Sequence, residues 1–182
     1  MSYFKNNSFA VKMIKMSMWV VMGLAMSGCL SSREFRAVKH FDIGQVELGS
    51  VAAYELGDFT IDSRYGEKMF VRTDAKEVSY ASYHRWVVSP DKMLKDFIKL
   101  ATKPGGSAGE LSVNILAIEF NQKNNETYFV ADYQLKKKGV TKENRVVFST
   151  TTKSFDPSLF ADAFRQFAEK LLGELESGKG VN

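Results

Sequence analysis

The N-terminal segment of this chain sets the strongest limit on what can fold. Residues 16–26 are almost wholly apolar, and Lys5, Lys12 and Lys15 precede them without any acidic residue. Eleven apolar residues suit the core of a secretory signal peptide, whereas a membrane-spanning helix needs about 20. The alternative is a short helix buried in the folded core. The basic flank favours a signal peptide, so we expect the folded protein to begin after this segment.

Ser27, Gly28 and Cys29 directly follow the apolar run. The small side chains at the first two positions allow an extended backbone to enter a peptidase site, as signal cleavage requires. A cysteine in the next position resembles the bacterial lipobox, in which the thiol receives a diacylglycerol and cleavage releases the amine. Met26 stands where lipoboxes more often have Leu. The pattern predicts cleavage between Gly28 and Cys29 and lipid modification of Cys29, whichever early methionine starts translation.

Cys29 is the only cysteine of the chain, which excludes several kinds of site. Once it is acylated, no thiol remains for a disulfide, a redox pair or a zinc site. The cleaved chain keeps 22 basic and 21 acidic residues, a balance that argues against nucleic-acid binding. No later apolar run is long enough to span a bilayer, so we expect membrane attachment through the lipid anchor alone.

The cleaved chain divides into a tether, one folded domain and a tail. The predicted boundaries are a signal peptide at 1–28, a lipidated tether at 29–39, a domain at 40–177 and a tail at 178–182. An extended tether of this length reaches at most about 35 Å, because one residue spans at most about 3.6 Å. We therefore expect the domain to stay close to the membrane that holds its anchor.

Seven segments have the composition or the alternation of strands. They lie near residues 41–43, 54–61, 69–71, 78–88, 111–120, 127–135 and 146–152. The alternation changes phase at Gly57, which predicts a bulge or a tight turn. Residues 111–120 are strongly apolar and predict a strand covered on both faces, while residues 136–144 predict a charged loop. The last three segments are expected to form an antiparallel meander.

Two helices are predicted from their starts and their apolar stripes. Ser89-Pro90 and Asp156-Pro157 each place a capping residue before a proline, which fits the first helical position. Apolar residues at helical spacing follow both starts, and Pro104-Gly105-Gly106 ends the first helix. The order of elements predicts an α+β fold: a two-layer domain with a mostly antiparallel sheet and two amphipathic helices on one face.

The sequence gives no sign of catalysis or of metal binding. His40 and His84 are far apart, and neither belongs to a His-x-x-x-His or Glu-x-x-His pair. We expect no Gly-x-Ser-x-Gly nucleophile elbow in the sequence. We also expect no phosphate-binding loop, since the glycine-rich segment at residues 104–107 follows a helix and lacks the lysine of a phosphate cradle. The protein is therefore predicted not to be an enzyme and to need no cofactor and no metal.

An aromatic cluster on the long predicted strand is a candidate for a functional surface. Tyr80, His84 and Trp86 share one side-chain parity, and Tyr83 has the other. Such a face suits an acyl chain or a partner protein, but the pattern favours an ordinary core packed beneath the helices. As partner-binding residues we predict Tyr83, Arg85 and Trp86, because Trp, Tyr and Arg are favoured anchors in interfaces.

A second candidate surface is the basic run formed by Lys136, Lys137 and Lys138. Consecutive lysines suit the anionic headgroups of a membrane. They are also typical of a loop that is simply solvated. The sequence leaves both interpretations open.

Several short motifs occur in the order found in one known family. Residues 39–44 (Lys-His-Phe-Asp-Ile-Gly) stand where the family has a strand ending in a Tyr-Tyr-Asp-Leu-Gly-like motif. Residues 69–72, 77–80 and 84–86 follow the family's order of a basic residue, a Val-x-Tyr strand and Arg-Trp before a helix. A polar β segment and an amphipathic helix at residues 149–175 close the pattern. The mature domain resembles the ABC-type transport auxiliary lipoproteins, the family of paraquat-inducible protein C.

The sequence departs from this family at two places. Val87-Val88-Ser89-Pro90 replaces an Ala-Glu-Pro-Leu-like run, and His40-Phe41 replaces Tyr-Tyr. The resemblance implies a non-catalytic component of a lipid-trafficking system. Its expected partners are a periplasmic MCE-domain (mammalian cell entry) protein and an ABC transporter complex.

The resemblance of residues 26–29 to a bacterial lipobox also implies a location for the protein. Leu30 follows the cysteine where an Asp would indicate retention at the inner membrane, so we expect the outer membrane, facing the periplasm. The alternative function is that of a structural or regulatory envelope lipoprotein, such as an assembly factor or an activator of a cell-wall synthase. A homo-oligomer is compatible with either function.

Overall fold

The computed structural model of the protein describes residues 36–44, 52, 54–74, 76–103 and 109–177. The predicted signal peptide with Gly28 and Cys29, most of the tether, the tail and the glycine-rich segment at 104–107 lie outside these residues. The chain divides into two units, Met1–Ala37 and Val38–Asn182. All described strands and helices belong to the second unit.

The described residues form seven strands and two helices. The strands are β1 (Lys39–Phe41), β2 (Glu55–Ile61), β3 (Lys68–Arg72), β4 (Val78–Trp86), β5 (Glu110–Asn121), β6 (Glu126–Lys137) and β7 (Val140–Thr151). The helices are α1 (Pro90–Ala101), between β4 and β5, and α2 (Pro157–Ser177), which follows β7. No helix in the described part of the chain is long and apolar enough to cross a bilayer.

The strands form one mixed sheet in the order β1-β4-β3-β5-β6-β7, and β2 pairs with β5 in addition. The long β5–β6 and β6–β7 pairings are antiparallel, which confirms the predicted meander. β2 and β3 both lie parallel to β5, β2 along its first half and β3 along its last three residues. The two helices lie on one face, so the predicted α+β fold is confirmed, with a sheet that contains parallel as well as antiparallel neighbours.

Three local predictions can be compared with the strands. The register of β2 against β5 shifts between Leu56 and Phe59, which confirms the bulge expected at Gly57. In β5, Leu111 and Val113 are buried but Asn114 is exposed. The prediction that this strand is covered on both faces is therefore wrong, because the helices cover one face and the other carries polar side chains.

The charged loop expected at residues 136–144 is also much shorter than predicted. β6 continues to Lys137 and β7 begins at Val140, so only Lys138 and Gly139 connect them. Both connecting residues have positive φ, 50° and 81°. Positive φ at both central residues is the geometry of a tight type I′ hairpin turn, which Gly adopts readily.

The two helix starts use their capping residues differently. One carboxylate oxygen of Asp156 (Oδ1) accepts hydrogen bonds from the backbone N–H groups of Ser158 at 2.8 Å and Leu159 at 3.2 Å. The predicted side-chain cap of α2 is therefore confirmed. Ser89 is the N-cap residue of α1, but its side chain makes no capping hydrogen bond, and only its carbonyl accepts one, from the N–H of Met93 at 3.1 Å.

The core lies between the helices and the sheet face that they cover, which we call the helix-covered face. Phe160, Phe164 and Phe167 of α2 surround Phe129 of β6, with ring centroids 5.5, 5.5 and 5.7 Å away. Trp86, at the end of β4, contacts the first two of these rings. All five side chains are fully buried, so the apolar stripe of α2 fixes the helix on the sheet.

Candidate functional site

An irregular pairing of β3 with β4 determines which aromatic side chains reach the surface. Phe70 pairs with Tyr80 and Lys68 pairs with Arg85, so β4 holds three more residues than β3 between the two pairs. Extra residues in one strand change the side to which the following side chains point. As a result, Tyr80 lies on the side opposite the helices, which we call the outer face, while Trp86 lies on the helix-covered face.

The three predicted partner-binding residues are not brought together on one surface. Trp86 is fully buried against α2 and belongs to the core, which corrects its assignment as a partner-binding residue. Tyr83 is 43% exposed and Arg85 is partly buried. Their part in binding stays a prediction. The parity argument placed Tyr80 beside Trp86, and it is wrong because of the extra residues in β4.

Tyr80 is the exposed member of a group of three aromatic rings on the outer face. Its ring meets Phe70 edge-on, with centroids 5.2 Å apart, and Phe70 meets Tyr65 at 4.8 Å. Tyr80 is 52% exposed, whereas Phe70 and Tyr65 are buried. A buried ring pair thus supports an exposed Tyr, and edge-to-face packing restricts how the exposed ring can move.

A polar network lies directly beside these rings. Glu119 of β5 accepts a hydrogen bond from the Tyr65 hydroxyl at 2.8 Å. The same carboxylate accepts two hydrogen bonds from Arg72 of β3, through Nε and through Nη2, the second at 2.9 Å. The Glu119 side chain is only 12% exposed. Two-point pairing of this kind is strong and directional, so it holds the Tyr65 and Arg72 side chains in place.

The pKa values of this network follow from its hydrogen bonds. Burial alone would raise the pKa of Glu119, but the hydrogen bonds from Arg72 and Tyr65 outweigh it and hold that pKa below its usual value. Burial, reinforced by the hydrogen bond to Glu119, raises the pKa of the Tyr65 hydroxyl far above its usual value. At neutral pH the network therefore consists of a carboxylate, a guanidinium and a neutral hydroxyl.

Further cations complete the outer-face site, which we define as Arg64, Tyr65, Lys68, Phe70, Arg72, Tyr80 and Glu119. The Lys68 ammonium lies 4.3 Å from the centroid of the Tyr80 ring, and the Arg64 guanidinium lies 5.2 Å from that of Tyr65. Arg64 also pairs with Asp62 at 3.1 Å. The seven residues line a depression of about 390 Å³. Arg64 and Arg72 are each paired with a carboxylate, so the depression is aromatic and keeps a small net positive charge from Lys68.

A larger depression of about 750 Å³ lies at the other end of the outer face. Its polar side chains bond to one another across the strands: Thr60 to Asn114 at 3.0 Å, and Arg145 to Asp132 at 2.6 and 2.9 Å. These pairs satisfy each other, and the valine and the tyrosine that line the depression, Val113 and Tyr133, are buried. We interpret this region as the solvated part of the sheet.

The described residues include no group of three or more His, Cys, Asp or Glu side chains that would hold a metal ion. The prediction that the sequence lacks a Gly-x-Ser-x-Gly motif is wrong, because residues 105–109 read Gly-Gly-Ser-Ala-Gly. A nucleophile elbow joins a strand to a following helix. Here the segment joins the end of α1 to the start of β5, the reverse order.

Sequence reasoning did not identify Tyr65, Lys68, Arg72 and Glu119 as members of one site. Tyr65 lies in the turn before β3, where its carbonyl accepts a hydrogen bond from the N–H of Lys68 at 3.0 Å. One signal was available: Glu119 is a charged residue near the end of a strongly apolar strand. A carboxylate in such a place needs a cationic partner or hydrogen-bond donors.

Comparison with known proteins supports the fold. No family model and no curated protein matches the chain. A solved structure of a Xanthomonas campestris protein of family DUF330 is similar with a TM-score of 0.61 at 15% identity, over 79% of this chain and 95% of that one. The crystal structure of an uncharacterized protein is similar with a TM-score of 0.60 at 10% identity, over 76% of this chain and 99% of that one. The chain shares its fold with these proteins.

Proposed function

We propose that this protein is a non-catalytic lipoprotein of the bacterial outer membrane that docks a periplasmic MCE-type subunit, as an auxiliary component of an ABC/MCE-type lipid transport system. The outer-face site carries this proposal. Tyr80 projects from a buried aromatic base, the Lys68 ammonium lies over its ring, and Arg72 lines the same depression. Tyr and Arg on a pre-organised surface are the residue types that most often anchor protein interfaces. The order of motifs along the chain supports the choice of partner.

The chemistry of the site favours docking over catalysis. The Glu119 carboxylate already accepts hydrogen bonds from Arg72 and Tyr65, so its protonation state is fixed at neutral pH. A general base needs a pKa near the working pH, and here the pKa is moved in the opposite direction. The network therefore serves to hold the neighbouring side chains in position.

The distribution of apolar residues favours docking over lipid carriage. A carrier needs an enclosed apolar cavity of several hundred Å³ for its acyl chains. Here the aromatic side chains of α2 fill the space above β6, and the depressions on the outer face are open and lined by charged groups. A surface of this kind suits contact with a protein.

Affinity purification of the full chain from envelope membranes tests the proposal. We expect an MCE-type protein to be recovered, and Tyr80→Asp to reduce its recovery about 30-fold, the equivalent of about 2 kcal/mol for an interface hot spot. Leu159→Asp is the matched control, because Leu159 is about equally exposed but lies on α2. Recovery of a cell-wall synthase instead would support the regulatory alternative. Equal recovery with Tyr80→Asp would contradict docking at this site.

Acylation of Cys29 is tested separately. We expect cells that are fed a clickable fatty acid to label the wild-type chain and to leave Cys29→Ala unlabelled, because the thiol is the predicted attachment point. The readout is in-gel fluorescence of the purified chain. Label on the Cys29→Ala chain would show that the lipobox assignment is wrong.

A further inference from the structure

The hairpin that joins β6 to β7 ends in a concentrated basic tip. Lys137 pairs with Val140 directly across the two-residue turn of Lys138 and Gly139. A turn this short fixes the register of both strands, so the tip is a well-defined projection and not a loose loop. Val140, the first residue of β7, is 57% exposed at this tip.

Cross-strand pairing shows how the side chains of this tip are arranged. Residues paired across an antiparallel ladder lie on the same face, as do residues two apart along a strand. Lys137 pairs with Val140 and Leu135 pairs with Lys142, so all four lie on one face. Val140 is therefore flanked by two lysines. In the described part of the chain the only ion pair of the tip is that of Lys136 with Glu110, at 4.0 Å.

The tip is located far from the place where the chain enters the domain. β1 is parallel to β4, β4 is antiparallel to β3, and β3 is parallel to β5. β1 therefore runs in the same direction as β6, and Lys39 lies toward the sheet end at which β6 begins. The pairings across β4, β3 and β5 put His40 level with about Val130 of β6, so Lys138 at the tip lies about 27 Å further along the sheet, at about 3.4 Å per residue. It points away from the end that the tether joins.

We propose that this hairpin tip binds an anionic phospholipid surface. A stable protein interface buries more than about 1,000 Å², which a convex two-residue turn with one apolar side chain does not offer. A bilayer, in contrast, deforms around a projecting group. The ammonium groups of Lys137, Lys138 and Lys142 then reach lipid phosphates while Val140 enters the interfacial layer. This site is separate from the outer-face site and does not depend on the docking of a partner protein.

The test uses the full chain held by its N-terminal segment in nanodiscs of phosphatidylcholine. Acceptor vesicles contain either phosphatidylcholine alone or phosphatidylcholine mixed with phosphatidylglycerol, and binding is measured by co-flotation. We expect binding to the phosphatidylglycerol vesicles, and a loss of at least about 25-fold with Lys137→Glu/Lys138→Glu, since each lysine near an anionic surface contributes about fivefold. Added salt is expected to weaken the binding, because it screens exposed charges.

The matched control is Lys123→Glu/Lys153→Glu, which changes the net charge equally at the opposite end of the sheet, where both residues are exposed. We expect it to keep wild-type binding to the phosphatidylglycerol vesicles. Three results would overturn the proposal: no wild-type binding to these vesicles, equal binding to phosphatidylcholine alone, or equal losses in the two double variants. None of these results bears on the docking of an MCE-type protein.

Discussion

Phe164→Ala is expected to lower the free energy of unfolding by about 3–5 kcal/mol, the range for truncation of a buried Phe. Phe164 is fully buried, and its ring lies 5.5 Å from those of Trp86 and Phe129 and 5.9 Å from that of Phe167. Truncation therefore removes apolar burial and leaves a cavity where α2 meets β6. Domains are typically stable by only about 5–15 kcal/mol, so the variant loses a large share of its stability.

Denaturant unfolding of the two chains measures this difference, provided that the slope with denaturant stays the same. Leu159→Ala is the control, because Leu159 lies on the same helix but is half exposed. We expect it to change the stability by less than about 1 kcal/mol. If Phe164→Ala also lowered the free energy of unfolding by less than about 1 kcal/mol, the apolar stripe of α2 would not form the core.

Glu119→Ala is expected to lower the free energy of unfolding by about 2–3 kcal/mol. It leaves the Tyr65 hydroxyl and the Arg72 guanidinium without their common acceptor. Breaking a fully buried ion pair costs about 3–5 kcal/mol, and the effect is smaller here because the Arg72 side chain is 26% exposed.

Asp132→Ala supplies the matched control on the same sheet. The Asp132–Arg145 pair has the same two-point geometry, but its side chains are 40% and 59% exposed. Exposed ion pairs contribute about 0–1 kcal/mol, so we expect little change in denaturant unfolding. Equal losses in the two variants would mean that the Tyr65–Glu119–Arg72 network is not a stabilising feature.

The same network predicts a pH dependence with a definite sign. The folded-state pKa of Glu119 lies below its unfolded value, so its stabilising effect is fully present above the unfolded pKa of about 4.3 and is lost as the pH falls through the folded value. The folded-state pKa of Tyr65 is raised, so its contribution is present below about pH 10 and is lost at higher pH. Unfolding measurements across the acidic range should show that Glu119→Gln loses less stability on acidification than the wild type. An equal loss would contradict this assignment.

The predictable parts of this fold depend on local patterns. α2 follows from the Asp156 cap and from apolar residues at helical spacing, both of which act within one turn of the chain. The β5–β6–β7 meander follows from alternation and short connections. The bulge at Gly57 follows from a change of phase that is visible in the sequence.

The parts that could not be predicted depend on pairing between distant segments. Nothing in the local sequence of β5 determines that β2 and β3 share its edge. The three extra residues of β4 are defined by its pairing with β3. The sequence of β4 alone therefore does not predict that Tyr80 and Trp86 lie on opposite faces of the sheet. Tyr65 and Glu119 are 54 residues apart, and only the parallel pairing of β3 with β5 brings the network together. The candidate site was therefore the part of the molecule that the sequence predicted least well.

The most direct test of the docking proposal places a photo-crosslinking amino acid at position 80 of the full chain in living cells. Tyr80 is the exposed centre of the outer-face site, and a crosslinker there reports what touches this surface. The account predicts a single major adduct, identified by mass spectrometry as an MCE-type protein, and no such adduct from the same crosslinker at position 159. Phospholipid, a cell-wall synthase or no adduct at position 80 would contradict it.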